Sequence, residues 1–186
     1  LQIIAKKQSQ LIAKWMGIGF IHGVMNTDNT SIAVETIDYG PCAFMDEYNP
    51  QTVYSSIDHH GRYAFANQAQ IAHWNLACLS GCLIPLVDKN EDKSKAEINK
   101  VLENFSKNVN DEISKKMTQK IGLEKPDEES LEHLRALLKL MHENKTDYTL
   151  TFRSLSEVAQ GEAKEFISFF DKEDSISDWI KDWEKL

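Results

Sequence analysis

The sequence predicts a mainly α-helical protein with a small β element. Apolar residues recur three and four positions apart over most of the 186 residues, as they do on the buried faces of amphipathic helices. One short run, Ser31–Ile37, is instead rich in β-branched residues, which favours a strand. Charge is uneven: the chain up to Leu86 carries 4 basic and 6 acidic residues, and the remainder carries 17 and 23, as expected of solvated helical surfaces.

The first predicted element is a helix over Ile3–Met16. Lysines are interleaved with its apolar residues, and Gly17 and Gly19 then break the pattern. The apolar positions are Ile3, Ile4, Leu11, Ile12, Trp15 and Met16. A helix followed at once by a glycine turn predicts that the chain changes direction just before the most specific motif in the sequence.

The middle of the chain predicts a strand pair, a loop and a second helix. We expect Ser31–Ile37 to supply a strand pair, Asp46–Thr52 to be irregular, and a helix to run from about Gln68 to Pro85. The polar stretch Val87–Lys93 has no periodicity and is the clearest linker. We therefore divide the chain into a core, residues 1–86, a linker, residues 87–93, and a helical extension, residues 94–186, packed on the core.

Several amphipathic helices are predicted in the extension. Their expected signals are the Ser94-x-x-Glu97 capping box, the Pro126-Asp127 pair, the run Leu155–Phe170 and the Ser175-x-x-Asp178 cap. Trp179 and Trp183 lie four residues apart on the last of these helices, which favours a place in the core.

Composition excludes several classes of protein. The formal charge of −8 and the pI near 5.3 argue against a nucleic-acid partner, since such proteins usually present a basic face. Cys42, Cys78 and Cys82 form no paired C-x-x-C, which argues against a disulfide framework or a zinc knuckle and fits a reducing compartment. No apolar run approaches the roughly 18 residues needed to cross a membrane, so we expect a soluble chain without a membrane partner.

The most specific motif is the run His22–Asn29, followed by Asp38-Tyr39-Gly40-Pro41. It places an amide and two carboxylates in one short stretch. Mg²⁺ takes oxygen ligands in a near-octahedral shell and usually takes only one or two from protein, leaving the others to water and phosphate. The pair of motifs therefore predicts a magnesium site that faces nucleotide phosphates, although Asn and Asp also cap turns in this way.

The same spacing occurs in the catalytic loop of protein kinases, H-R-D-x-x-x-x-N, which is followed by a metal-binding Asp. On that template His22 matches the His and Asn29 the Asn, while Val24 takes the position of the catalytic Asp. Valine cannot accept a proton. Asp28 is the only carboxylate left in the loop and becomes the candidate base; in such loops the His typically packs and bonds the backbone.

Three long strings resemble the SelO/YdiU family of pseudokinase-fold enzymes: GFIHGVMNTDN, TSIAVETIDYGP and SIDHHGRYAFANQAQIAHWNLACL. The resemblance continues in DYTLTFRSLS and DWIKDWEKL. It implies a protein-kinase-like large lobe and transfer of AMP from ATP to Ser, Thr or Tyr hydroxyls of proteins. It also implies Asp28 as the catalytic base, Asn29 and Asp38 as ligands of Mg²⁺ or Mn²⁺, and Asp38 as a residue near the ATP phosphates.

The chain has no G-x-G-x-x-G, so we expect the small lobe to be absent, the chain to be truncated at both ends, and the isolated piece to have little activity. A bacterial cytoplasmic location is expected, or a mitochondrial one in a eukaryote. Two other classes remain open: a non-catalytic scaffold that binds a protein partner, and an ordinary kinase that uses Asp28 as its base.

The segment Asp58–Tyr63 contains two adjacent histidines and an arginine. Adjacent side chains on an extended backbone point to opposite faces, so both histidines cannot easily bind one ion. We expect this segment to support the site, with Arg62 pairing with a carboxylate.

Overall fold

The computed structural model describes all 186 residues and has seven α-helices and one two-stranded sheet. In chain order the elements are α1 (Gln2–Ile18), β1 (Phe20–Ile21), β2 (Ala43–Phe44), α2 (Gln68–Val87), α3 (Glu91–Lys120), α4 (Glu128–Asn144), α5 (Tyr148–Val158), α6 (Lys164–Ile167) and α7 (Glu173–Trp183). The prediction of a mainly α-helical protein with a small β element is confirmed.

The glycine break after α1 occurs as predicted. Gly19 has φ 71°, and its N–H bonds the carbonyl groups of Met16 and Trp15, which ends the helix in a left-handed cap. A Cβ at Gly19 would lie 2.8 Å from Cδ1 of Tyr148. The position therefore needs glycine both for its backbone angle and for the close approach of this ring.

The predicted strand at Ser31–Ile37 is wrong. The sheet instead pairs β1 with β2 in antiparallel register, Phe20 opposite Phe44 and Ile21 opposite Ala43. Val34 has φ 64°, a backbone angle that no strand contains, so the β-branched run cannot form a ladder. The two strands enclose the whole loop between residues 22 and 42 rather than lying inside it.

The helices α1, α2 and α3 pack together, and the linker between the last two is shorter than predicted. Only Asp88–Asn90 breaks the helices, since α2 includes Val87 and α3 begins at Glu91. The Asn90 side chain caps α3 by accepting the Lys93 N–H at 3.0 Å. The predicted cap at Ser94 is wrong because this residue is fully buried in the first turns of α3 and its hydroxyl bonds the backbone of Asp88.

The beginning of α4 is as predicted. Asp127 caps it by accepting the Ser130 N–H at 2.9 Å. The helix predicted over residues 155–170 is instead two helices, because α5 begins at Tyr148 after the Asp147 cap and the chain turns at Gly161, where φ is 88°.

The last helix also begins earlier than the sequence predicts. The cap expected at Ser175 is wrong: α7 starts at Glu173, and no side chain caps it. The two tryptophans occupy the core as predicted, since Trp179 is buried and stacks on Trp183 with ring centroids 5.7 Å apart.

The core consists of two clusters, and each draws residues from both sides of the Asp88–Asn90 break. One cluster joins α1 and α2 to α3. The other packs the sheet against the later helices around the ring of Tyr148, whose hydroxyl donates to the Met16 carbonyl at 2.7 Å. Burial raises the pKa of Tyr148 far above its usual range, so this hydroxyl stays protonated and keeps donating.

One helix is long and apolar enough to cross a membrane by length and composition alone, contrary to the expectation that no run would qualify. It consists of α2 and the 3₁₀ turn Phe65–Asn67 before it, so that it spans Phe65–Val87, and an 18-residue window has a mean hydropathy of 1.3. The core helix of a soluble protein meets the same criterion, so this property by itself assigns no membrane partner.

Candidate active site

All three residues predicted for the site lie on the loop between β1 and β2. The ends of this loop meet at Gly23, where φ is 84° and a Cβ would come within 3.0 Å of Pro41 Cγ and 3.1 Å of the Pro41 carbonyl oxygen. Only glycine combines that backbone angle with so close a contact. The sheet and this contact hold the first and last residues of the loop together.

His22 joins the two halves of the loop. The side chain is 1 % exposed, its Nδ1 accepts the Val24 N–H at 3.4 Å, and its Nε2 lies 2.8 Å from the Ile37 carbonyl oxygen. Because Nδ1 accepts, Nε2 carries the proton and donates to Ile37. His22 thus fastens the residue before Asp38 to the start of the loop, which is the structural role the sequence predicts for it.

Asp28 and Asn29 lie in a single 3₁₀ turn, Thr27–Asn29. The Asn29 amide donates its Nδ2–H to the Val24 carbonyl at 3.1 Å, so the amide orientation is set and Oδ1 has no partner within the chain. Asp28 is exposed and its carboxylate takes part in no hydrogen bond or ion pair. The turn therefore presents one oriented amide oxygen and one free carboxylate.

Asp38 lies in a strained part of the same loop. Its φ is 55°, in the left-handed region that Asp tolerates better than most residues, and its carbonyl accepts the Gly40 N–H at 2.8 Å. Its side chain is exposed and has no hydrogen-bond partner or ion pair. Left-handed backbone angles in residues other than glycine are uncommon and occur often at binding sites.

The unpartnered oxygens of Asn29 and Asp38 are of the chemical type that Mg²⁺ takes as ligands. The chain has no group of three or more His, Cys, Asp or Glu side chains placed to hold a metal. Mg²⁺ does not need such a group, because it is usually held by one or two protein oxygens together with water and phosphate. The donor set thus suits Mg²⁺ that arrives with a nucleotide.

Three polar side chains that support the loop were missed by the sequence reasoning. Gln68 accepts the His22 N–H at 3.0 Å and donates to the Phe20 carbonyl at 3.0 Å. Asn75 donates to the Met25 carbonyl at 3.0 Å and to Thr30 Oγ1 at 2.8 Å. The sequence contains a signal for two of them, Gln68 and Asn75. They are amides on the otherwise apolar helix α2, and a buried amide there needs a hydrogen-bond partner.

The third of these side chains is Tyr63, whose hydroxyl donates to Asn26 Oδ1. The segment before it folds around Asp58, which accepts the N–H groups of Arg62 at 2.9 Å and Tyr63 at 2.7 Å. The expected ion pair of Arg62 is absent, and its guanidinium lies 4.6 Å from the centre of the Trp74 ring. The support comes from Tyr63 and the Asp58 turn.

Two clefts flank the turn Thr27–Asn29, which carries the candidate catalytic residue Asp28. One, of about 290 Å³, lies between α1 and α2 and includes Thr27 and Thr30; the other, of about 580 Å³, includes Val24 and Asn26. Asp28, Asn29 and Asp38 line neither cleft. Asp28 and Asp38 are exposed and Asn29 is half-buried, so the three residues lie at the surface of the chain.

Comparison with known proteins identifies the family of the chain. The family "Protein adenylyltransferase SelO" matches residues 1–186. Proteins named "Protein nucleotidyltransferase YdiU" from Maridesulfovibrio salexigens and Rhizobium etli are 50% and 49% identical, each over 98% of this chain and 37% of the relative. A third, from Rhizobium meliloti, is 44% identical over 100% of this chain and 38% of the relative. The chain spans little more than a third of these bacterial proteins, and it belongs to the SelO family of protein adenylyltransferases.

Proposed function

We propose that the full-length protein containing this chain transfers AMP from ATP to Ser, Thr or Tyr hydroxyls of target proteins. The observation that carries the proposal is the state of three side chains: Asp28, Asn29 and Asp38 each keep an oxygen free of any partner within the chain. Family membership supplies the class of reaction. The relatives compared are bacterial, and we place the activity in a bacterial cytoplasm.

Asp28 is the proposed base. Its exposed carboxylate can accept the proton of a target hydroxyl, whose oxygen forms a bond to the α-phosphorus of ATP. The bond from the α-phosphorus to the bridging oxygen breaks, and pyrophosphate leaves with the electron pair. Positioned proton transfer of this kind typically contributes 10²- to 10⁴-fold in rate, about 3–5 kcal/mol of barrier.

Asn29 and Asp38 would hold Mg²⁺, or Mn²⁺ in its place, against the phosphates. The ion, when bound, supplies the positive charge that offsets the negative charge of the phosphate oxygens. The Asn29 side chain needs no reorientation for this task, since its Nδ2–H already bonds the Val24 carbonyl. His22 keeps the segment that carries Asp38 in register with the turn that carries Asn29.

Ordinary kinase chemistry is less well supported, because Val24 holds the position of the kinase base and contributes only its backbone to the site. Because the three residues lie at the surface and outside both clefts, a second wall is needed to enclose the triphosphate. We propose that this wall comes from the part of the longer protein outside the matched region, and that the 186-residue chain alone transfers little AMP.

Labelled ATP tests the proposal on the full-length protein. Label at the α-phosphate should appear on target proteins, and label at the γ-phosphate should not, since pyrophosphate leaves. Transfer of the γ-label alone would identify a kinase. Absence of both, in a preparation that binds Mg²⁺-ATP, would identify a scaffold. Asp28→Asn is the matched variant, because it keeps the shape of the side chain and removes the base.

A further inference from the structure

The larger of the two clefts is contiguous with the catalytic turn. It is formed by the segment Ile57–Tyr63 on one side and by Gln70 and Ile71 of α2 on the other, and it shares Val24 and Asn26 with the loop. Asn26 is the residue at which the turn Thr27–Asn29 begins. A molecule that fills this cleft would therefore lie directly beside the turn that carries Asp28.

Arg62 lines this cleft, and its guanidinium has no hydrogen-bond or ion-pair partner within the chain. The guanidinium carbon lies 4.6 Å from the centre of the Trp74 ring and 5.8 Å from that of Tyr63. The side chain makes no ion pair, and its only hydrogen bond within the chain is from its backbone N–H. Stacking on aromatic rings limits the motion of the guanidinium plane and leaves its N–H groups free, which suits two parallel bonds to a carboxylate.

No other polar group of the cleft forms an ion pair or hydrogen bond with this guanidinium. Asp58 is the only carboxylate in the lining, and both of its oxygens already accept backbone N–H groups, those of Arg62 and Tyr63. His59 and His60 are exposed, and Ile57 is 77 % exposed. The cleft thus offers one guanidinium, two imidazoles and an apolar side chain to a partner that lies along it.

We propose that this cleft binds an acidic residue of the target protein, close in sequence to the hydroxyl that receives AMP. The proposal rests on the proposed function, because it assigns the cleft to the same target protein. A carboxylate is favoured over a nucleotide phosphate because Asn29 and Asp38, the residues assigned to the phosphates, do not line the cleft. Arg62 would then select targets without taking part in the reaction.

Peptide binding to the 186-residue chain tests the assignment. Fluorescence anisotropy would compare short labelled peptides in which one Ser is flanked by Glu, by Gln or by Lys, at fixed ionic strength. Glu-flanked peptides should bind about tenfold more tightly than Gln-flanked ones, as expected for a charge-assisted pair. Arg62→Gln should abolish that difference, and Arg62→Lys should reduce it, since lysine keeps the charge but cannot make two parallel bonds. Arg135→Gln on α4 is the matched control and should leave it unchanged.

Three outcomes would overturn the proposal: no preference for Glu in the unmodified chain, the full preference retained in either Arg62 variant, or equal competition by inorganic pyrophosphate, which would identify a phosphate site. Thermal unfolding of each variant shows whether the fold is intact.

This test can be separated from the test of the proposed function, because peptide binding needs no AMP transfer. If the full-length protein transfers AMP but Arg62→Gln leaves KM for an acidic target unchanged, the cleft assignment alone fails.

Discussion

The loop between residues 22 and 42 and the helices α3–α7, called the extension from here on, use their charged residues in opposite ways. All six ion pairs of the structure lie between Glu91 and Lys185, and all are exposed. No carboxylate before Leu86 pairs with a Lys or Arg side chain. The loop leaves Asp28 and Asp38 without partners, and hydrogen bonds of His22 and Gln68 hold it in place. Unpaired carboxylates remain available to a ligand, whereas exposed ion pairs on helices add little to stability.

The largest expected effect separates chemistry from stability at Asp28. Asp28→Asn in the full-length protein should lower AMP transfer about 10²- to 10⁴-fold, because the amide cannot accept the proton. The same change should leave the free energy of unfolding within about 0.5 kcal/mol, since the carboxylate has no partner to lose. Glu97→Gln in the extension is the control and should leave transfer unchanged. Retained activity in Asp28→Asn would show that another group is the base.

The second prediction concerns the contact between the loop region and the extension. Tyr148 is fully buried, lies against Gly19 and bonds the Met16 carbonyl. Tyr148→Ala should lower the free energy of unfolding by about 3–5 kcal/mol, as expected for loss of a buried aromatic ring. Tyr39→Ala, at a ring that is 66 % exposed, should cost less than about 0.5 kcal/mol in the same urea titration. Equal losses in the two variants would mean that Tyr148 does not join the regions.

The third prediction compares two glycines in different settings. Gly23→Ala should cost about 1–2 kcal/mol, because φ is 84° and the added Cβ meets Pro41 at 3.0 Å. Gly81→Ala on the exposed side of α2, where nothing lies within 4 Å, should instead stabilise the chain by about 0.5–1 kcal/mol. Chemical denaturation measures both. Stabilisation by Gly23→Ala would contradict the conclusion that the contact between Gly23 and Pro41 closes the loop.

The helices and the position of the loop could be predicted from the sequence, and the wrong predictions lie mostly where backbone angles determine the structure. Helical periodicity predicted α1 and α2, and the motif spacing identified the loop, because both depend on which residue types recur at which intervals. The strand expected at Ser31–Ile37 failed because Val34 and Asp38 adopt left-handed angles that residue preference does not reveal. The predicted helix caps at Ser94 and Ser175 are wrong because α3 and α7 begin a few residues earlier. Their N-cap residues are Asn90 and Lys172.

The smallest expected effect is in the paired charges of the extension. The hydrogen bond and charge of Lys95 hold the pKa of Glu91 below its usual range. A carboxyl whose pKa is lower in the folded state adds stability that is present above its unfolded-state pKa and lost as pH falls through the folded value. Unfolding titrations of Glu91→Gln and the unmodified chain should therefore differ slightly at neutral pH and converge in acid. Both side chains are more than half exposed, so added salt should remove the difference as well. A difference that persists in acid or in high salt would show that Glu91 stabilises α3 by something other than its charge.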